Sequence, residues 1–202
     1  MKRYTTVPQR SLRTPSMSLL ILGAIIWSVA HLFKAMSPAN RDRIERKLGE
    51  NRYRGVFSLV IIGSLILIVL GWKSAVPHAV YSAPLTGGPF ISALVLIGLV
   101  LFFASQFAGN IKRFVRHPQM IGTLLWSLAH LLTNGDSRSL TLFGGFAAWA
   151  ILEIVFINRR DGKWQKPGPA AIKFDVIPLA IGSAVFASVL YFHTTLFGVS
   201  PY

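Results

Sequence analysis

The residues able to do chemistry in this chain are few, and most of them lie along one stretch. It opens with Arg116-His117-Pro118-Gln119 and runs through Ser127, His130 and Asn134. At about 100° per residue, Gln119, Thr123, Ser127, His130 and Asn134 fall within about 80° of one another on a helix. The remaining faces carry Ile121, Leu124, Leu125, Leu131 and Leu132. In hydrocarbon such a polar line must face protein, water or a ligand, because an unsatisfied polar group there is costly. Two readings stand: a polar seam between helices, or a ligand site. A second histidine, His31, shares a face with Ala24, Ser28 and Ala35. Small neighbours admit another helix or a flat ligand; the plainer alternative is a histidine bonded to a nearby backbone carbonyl. Glu153 is a carboxylate embedded in an apolar run, a functional candidate unless it is an interfacial residue beside Asn158-Arg159-Arg160.

The elements that hold these residues are apolar helices. The chain is 202 residues long and 52% hydrophobic with only 14% charged, and its mean hydropathy is +0.53. Several runs near 20 residues are almost free of charge, which predicts an all-α polytopic transmembrane helical bundle of about six spans. These are 17–36, 55–76, 90–110, 118–134, 140–157 and 174–197. Residues 1–16 form a disordered basic tail, and 17–202 a single membrane domain. Met17 resembles a natural initiator. A signal peptide ending at Ser28-Val29-Ala30 is disfavoured, since the apolar run continues past it. Residues 40–54, dense in charge, read as a solvated, partly helical loop or an interfacial helix.

A formal charge of +14 ordinarily suggests a nucleic-acid binder. Here fifteen of the 21 Lys and Arg sit in the connections after the first, third and fifth spans, against two (Lys73 and Arg138) in the other two connections. Membrane orientation explains that asymmetry, so the partner is the lipid bilayer and not nucleic acid, and both termini lie outside. The four basic residues of the tail point the other way, and the loops outweigh them. With no cysteine, disulfides, thiolate ligands and covalent haem attachment are excluded.

Five pieces together resemble the NnrU family of integral membrane proteins, which includes the 15-cis-zeta-carotene isomerases. They are Leu19-Leu20-Ile21-Leu22-Gly23 with His31, Gly49-Glu50-Asn51-Arg52-Tyr53-Arg54-Gly55, Arg116-His117-Pro118-Gln119 with Trp126-Ser127-Leu128-Ala129-His130, Asn134-Gly135-Asp136, and Phe143-Gly144-Gly145-Phe146. The resemblance implies a multi-pass protein of the bacterial inner membrane. It also implies either a link to nitric oxide and nitrite metabolism in denitrification, or an isomerase-type reaction on an apolar small molecule. By the same analogy a non-covalent haem b is held by His31 and His130 as metal ligands, with His117 a further motif histidine. Ser127 or Asn134 would orient His130, and Glu153 and Arg116 would complete the cofactor surroundings.

Depth along the spans complicates that pairing. Counting from the span ends at 1.5 Å per residue, His31 lies about 21 Å below the outer surface and His130 about 6 Å. By depth His31 sits with His117 and Glu153, and His130 with His193 or His78. Two other classes of function remain. Arg116, His117, Pro118 and, offset by one position, Gly122 resemble the S-adenosylmethionine-holding motif of isoprenylcysteine-type membrane methyltransferases, without the acidic pair those enzymes carry further on. The other class is a non-catalytic assembly or transport factor. A Soret band separates haem from methyl transfer, and activity without a partner separates an enzyme from an assembly factor.

Overall fold

The computed structural model describes residues 16–200, so the expected tail over 1–15 lies outside the described residues. The chain is a helical membrane protein. Its elements are α1 (Ser16–Met36), α2 (Pro38–Leu48), α3 (Glu50–Ser74), α4 (Pro89–Ala104), α5 (Ile111–Phe114), α6 (Pro118–Thr133), α7 (Ser137–Asp161) and α8 (Lys173–Phe197). Four of them, α1, α3, α7 and α8, are each long and apolar enough to cross a membrane. With α4 and α6, of 16 residues each, they make up the six expected membrane helices.

Local sequence sets the boundaries. Pro38, Pro89 and Pro118 open α2, α4 and α6, where the missing N–H is no loss. Asp136 caps α7, accepting from the backbone N–H of Arg138 at 2.9 Å and of Ser139 at 3.2 Å. The charged segment after α1 becomes α2, with no buried residue, and α3 starts at Glu50, five residues before its apolar run. The third span ends at Ala104, short of the expected Asn110. Gly109 and Asn110 are used instead to tie down the start of α8. Asn110 Nδ2 donates to Asp175 Oδ2 (2.7 Å) and Ala170 O (2.8 Å), and Asp175 Oδ1 accepts from Ile111 N–H (3.0 Å).

The helices pack in the order α3, α1, α7, α6, α4, α8, so α7 stands between α1 and α6. Three of the contacts are backbone to backbone, at glycine. Gly71 of α3 lies against Leu20, Gly122 of α6 against Gly98 of α4, and Gly182 of α8 against Val100. Small residues at helix crossings suit a membrane, where close packing replaces the hydrophobic effect as the force between helices. At the end opposite the basic loops, residues 75–88 are stapled to the α6–α7 turn. Val80 and Tyr81 N–H donate to Gly135 O, and Tyr81 Oη–H to Leu131 O and Asn134 O. A side chain at Gly135 would collide with the Tyr81 carbonyl.

Candidate functional site

The α1–α7–α6 seam carries the candidate residues, and it is built from rings. On α1, His31 packs on Trp27 (4.3 Å between centroids), on Trp149 of α7 (5.3 Å) and on Phe57 of α3 (5.6 Å). On α6, His130 stacks on Phe143 of α7 at 4.3 Å and packs on Trp126 at 5.1 Å. Phe146 touches Trp27 at 5.6 Å and Trp126 at 5.9 Å, joining the two groups. The imidazoles of His31 and His130 are thus linked through the contiguous rings of Trp27, Phe146 and Trp126.

Each imidazole is oriented by its own helix. Nδ1 of His31 lies 2.9 Å from Trp27 O, and Nδ1 of His130 lies 2.8 Å from Trp126 O. A carbonyl only accepts, so Nδ1 carries the hydrogen and the neutral ring keeps its lone pair on Nε2. Among the described residues neither Nε2 has a hydrogen-bond partner, and neither is among the buried, sealed polar atoms. The backbone carbonyl thus supplies the acceptor that side chains were expected to give. Asn134 Nδ2 donates to the carbonyl of His130 (3.0 Å) and to Thr133. Ser127 is fully buried with its hydroxyl unpartnered. Thr123 is also buried, with its hydroxyl on Gln119 O. This part of the polar stripe faces protein.

Glu153 sits one turn below Trp149, and its Oε2 is sealed without a hydrogen-bond partner. The Trp149 indole N–H lies close by but completes no bond to it, while Lys34 and Arg160 are within electrostatic reach. Glu153 thus shares the neighbourhood of His31, through Trp149. His117 is elsewhere: its Nε2 is 2.8 Å from Asn158 Oδ1, and Arg116 donates to Gly162 O at 2.8 Å. With Asp161, Lys163 and Trp164 they line a cavity of about 380 Å³ at the basic end. His193 lies within electrostatic reach of His130, as the depth argument expected, whereas His78 is exposed and engaged through its backbone. Among the described residues no group of three or more His, Asp or Glu is placed to hold a bare metal ion. Gly122, the glycine of the methyltransferase-like motif, is taken up by the contact with α4.

The two histidine helices share a sequence segment that helical periodicity alone does not reveal. Gly23-Ala24-Ile25-Ile26-Trp27-Ser28-Val29-Ala30-His31-Leu32 recurs as Gly122-Thr123-Leu124-Leu125-Trp126-Ser127-Leu128-Ala129-His130-Leu131. The recurrence explains why each histidine has a tryptophan four residues earlier both as its ring neighbour and as the residue whose carbonyl accepts from Nδ1.

No curated protein and no solved structure matches the chain. A family model described as NnrU protein matches residues 19–201. That match covers both histidine helices, the glycine crossings and the stapled turn, and the chain belongs to the NnrU family.

Proposed function

We propose that the protein binds haem b non-covalently within the membrane, with His31 and His130 as the residues that would hold its iron. The observation that carries this is the shared arrangement of the two imidazoles: Nδ1–H held by a backbone carbonyl, Nε2 unpartnered and not sealed off. That is the donor chemistry a haem iron takes from histidine, in which the second ring nitrogen is fixed by an acceptor. The aromatic walls (Trp27, Phe57 and Trp149 at one histidine, Trp126 and Phe143 at the other) suit a flat, apolar macrocycle. When bound, the haem would supply an iron centre for ligand binding, Lewis-acid or redox chemistry.

The reaction we favour is an isomerase-type conversion of an apolar small molecule. An apolar groove of about 440 Å³ runs between α1, α2 and α3, lined by Ala30, Phe33, Ile44, Leu48, Val56 and Phe57 among others. Phe57 also touches His31, so a molecule in the groove is one ring away from the imidazole. The amphipathic α2 closes the groove towards the basic end with Ile44 and Leu48. Nitric oxide and nitrite chemistry, the other expectation from the family, needs no such groove.

The test is the absorption spectrum of detergent-purified protein, oxidised and reduced, after expression with ample haem. A Soret band with the features of histidine-ligated haem b is expected, perturbed by apolar polyenes. A colourless protein under those conditions removes the haem reading.

A further inference from the structure

The motif Arg116-His117-Pro118 takes no part in the haem reading, and the structure gives it a setting of its own. Pro118 opens α6, so the two residues before it stand at the helix entrance, against the last turn of α7. Two hydrogen bonds dock them there. His117 Nε2–H donates to Asn158 Oδ1 at 2.8 Å, and Arg116 Nη2 donates to Gly162 O at 2.8 Å. Gly162 takes a φ of +65°, a conformation that favours glycine, and its own N–H closes the end of α7 on Asn158 O at 3.0 Å. The turn that ends α7 thus also fixes the guanidinium.

The cavity of about 380 Å³ beside them has a charged rim and an apolar wall. Arg116 and Lys163 are its cations, and among the described residues neither forms an ion pair. A guanidinium carries five N–H donors. The bond to Gly162 occupies one of them, which leaves a fork of donors on a side chain already held in place. The carboxylate at the cavity, Asp161, is occupied: Arg160 Nε donates to its Oδ1 at 2.7 Å and Nη2 to its Oδ2 at 3.2 Å. Counting Arg160, three cations stand against one carboxylate, a balance that repels a cation and attracts an anion. The apolar wall is Ile157 and the half-buried Trp164. Ile157 belongs to the last turns of α7, one of the helices long enough to cross the membrane.

We propose that this cavity binds a phosphate group, supplied by the headgroup of a membrane amphiphile. Arg116 and Lys163 hold the anion, and Ile157 and Trp164 receive the first carbons beyond it. A planar guanidinium engages a phosphate through two parallel bonds, and an orientation fixed in advance lowers the cost of making them. The cavity lies where the apolar run of α7 gives way to the basic loop, the level of lipid headgroups. Tryptophan is enriched at that boundary. Lys166 stands over the Trp164 ring at 5.2 Å, a further cation beside the apolar wall. The volume is near the lower end of the range for small-molecule sites, enough for a headgroup and too small for a polymer. The inference goes beyond the haem reading and is independent of it, since neither His31 nor His130 lines this cavity.

The experiment is isothermal titration calorimetry on the full-length protein purified in a neutral detergent. The probes are dioctanoyl phosphatidic acid, dioctanoylglycerol (the same chains without the phosphate) and inorganic phosphate. Saturable binding of the phosphatidic acid is expected, and none of dioctanoylglycerol. Arg116→Gln should weaken that binding about tenfold or more, the effect of losing a charge-assisted hydrogen bond. Lys163→Gln should weaken it in the same direction, while Arg46→Gln, at an exposed position of α2, leaves it unchanged. Absence of saturable binding, affinity unchanged in Arg116→Gln, or equal weakening by Arg46→Gln overturns the site. Inorganic phosphate bound as tightly as the lipid overturns the amphiphile as its source. Where Arg116→Gln fails to insert, Lys163→Gln, in the exposed loop, decides by the same criteria. A colourless protein that still binds phosphatidic acid fails the haem reading alone.

Discussion

The crossing of α6 on α4 gives the sharpest test of how this bundle is held together. In Gly122→Ala the added carbon falls against Gly98 O and lies 2.9 Å from Phe102 N. Both are backbone atoms, so no side chain can turn aside, and the two helices must separate or slide. Overpacking of a tight contact costs about 1–3 kcal/mol, and an unyielding backbone places this case near the top of that range. Replacing a helical glycine by alanine returns about 1 kcal/mol of propensity, leaving a net loss of about 2 kcal/mol. Gly144→Ala on α7 is the control, because its nearest contact is Leu140 Cδ1 at 3.6 Å, an ordinary van der Waals distance. That variant should be neutral or gain up to about 1 kcal/mol. Reversible unfolding in mixed micelles with rising SDS, followed by tryptophan emission, reads both. If Gly122→Ala matches or exceeds wild-type stability, the backbone contact is not what joins α4 to α6, and the argument from glycine fails.

Asp136→Ala should cost about 1–2 kcal/mol through loss of the α7 cap, measured by the same unfolding assay. Burial raises the pKa of Asp136, but hydrogen bonds from Ser139 and Arg138 and the Arg138 charge outweigh it, so the carboxyl lies below its ordinary value. Its contribution is therefore complete above the unfolded pKa of about 3.9 and disappears as pH falls through the lower folded value; a cap contribution that vanishes between pH 5 and 7 would contradict this. Tyr81→Phe leaves the carbonyls of Leu131 and Asn134 without the hydroxyl that bridges them and should cost about 1 kcal/mol, with faster hydrogen exchange of the 80–85 backbone as the local signature. His117→Ala should leave haem content unchanged, since its Nε2 is occupied by Asn158; loss of haem in that variant would move the site to the basic end. The chain contains no cysteine, so single cysteines at Ser82 and Lys163 report orientation: Ser82→Cys should be labelled from outside intact cells and Lys163→Cys should not.

Much of the architecture was legible because hydrocarbon allows few alternatives. Six apolar runs almost free of charge located the membrane helices closely. The third span was overextended because 105–110, though it holds Ser105, Gln106 and Asn110, carries no charge to mark an end. What ends α4 is a long-range tie from Asn110 to Asp175, 65 residues away, which no local pattern reveals. The charged segment after α1 resolved into α2, whose Ile44 and Leu48 matter only because α1 and α3 leave a groove for them. The polar stripe of α6 was visible, but its meaning was divided. Thr123 and Ser127 face protein, while His130 keeps its Nε2 free of any partner. Periodicity gives the angle of a residue on its helix and not the identity of what stands opposite. The expected orienting side chains for His130 were misplaced for a related reason: a carbonyl four residues earlier is always within reach of a helical histidine, and it outcompetes Ser127 and Asn134.

The aromatic ladder also has an optical consequence. Of the five tryptophans, Trp27, Trp72, Trp126 and Trp149 all belong to the connected rings around α7; Trp164 alone stands apart, beside Lys166 in the loop before α8. The intrinsic emission of this chain is thus dominated by one seam. Light absorbed at the indole band is a native reporter of the distance between α1, α7 and α6, and a shift in its colour would register their separation without any label being attached.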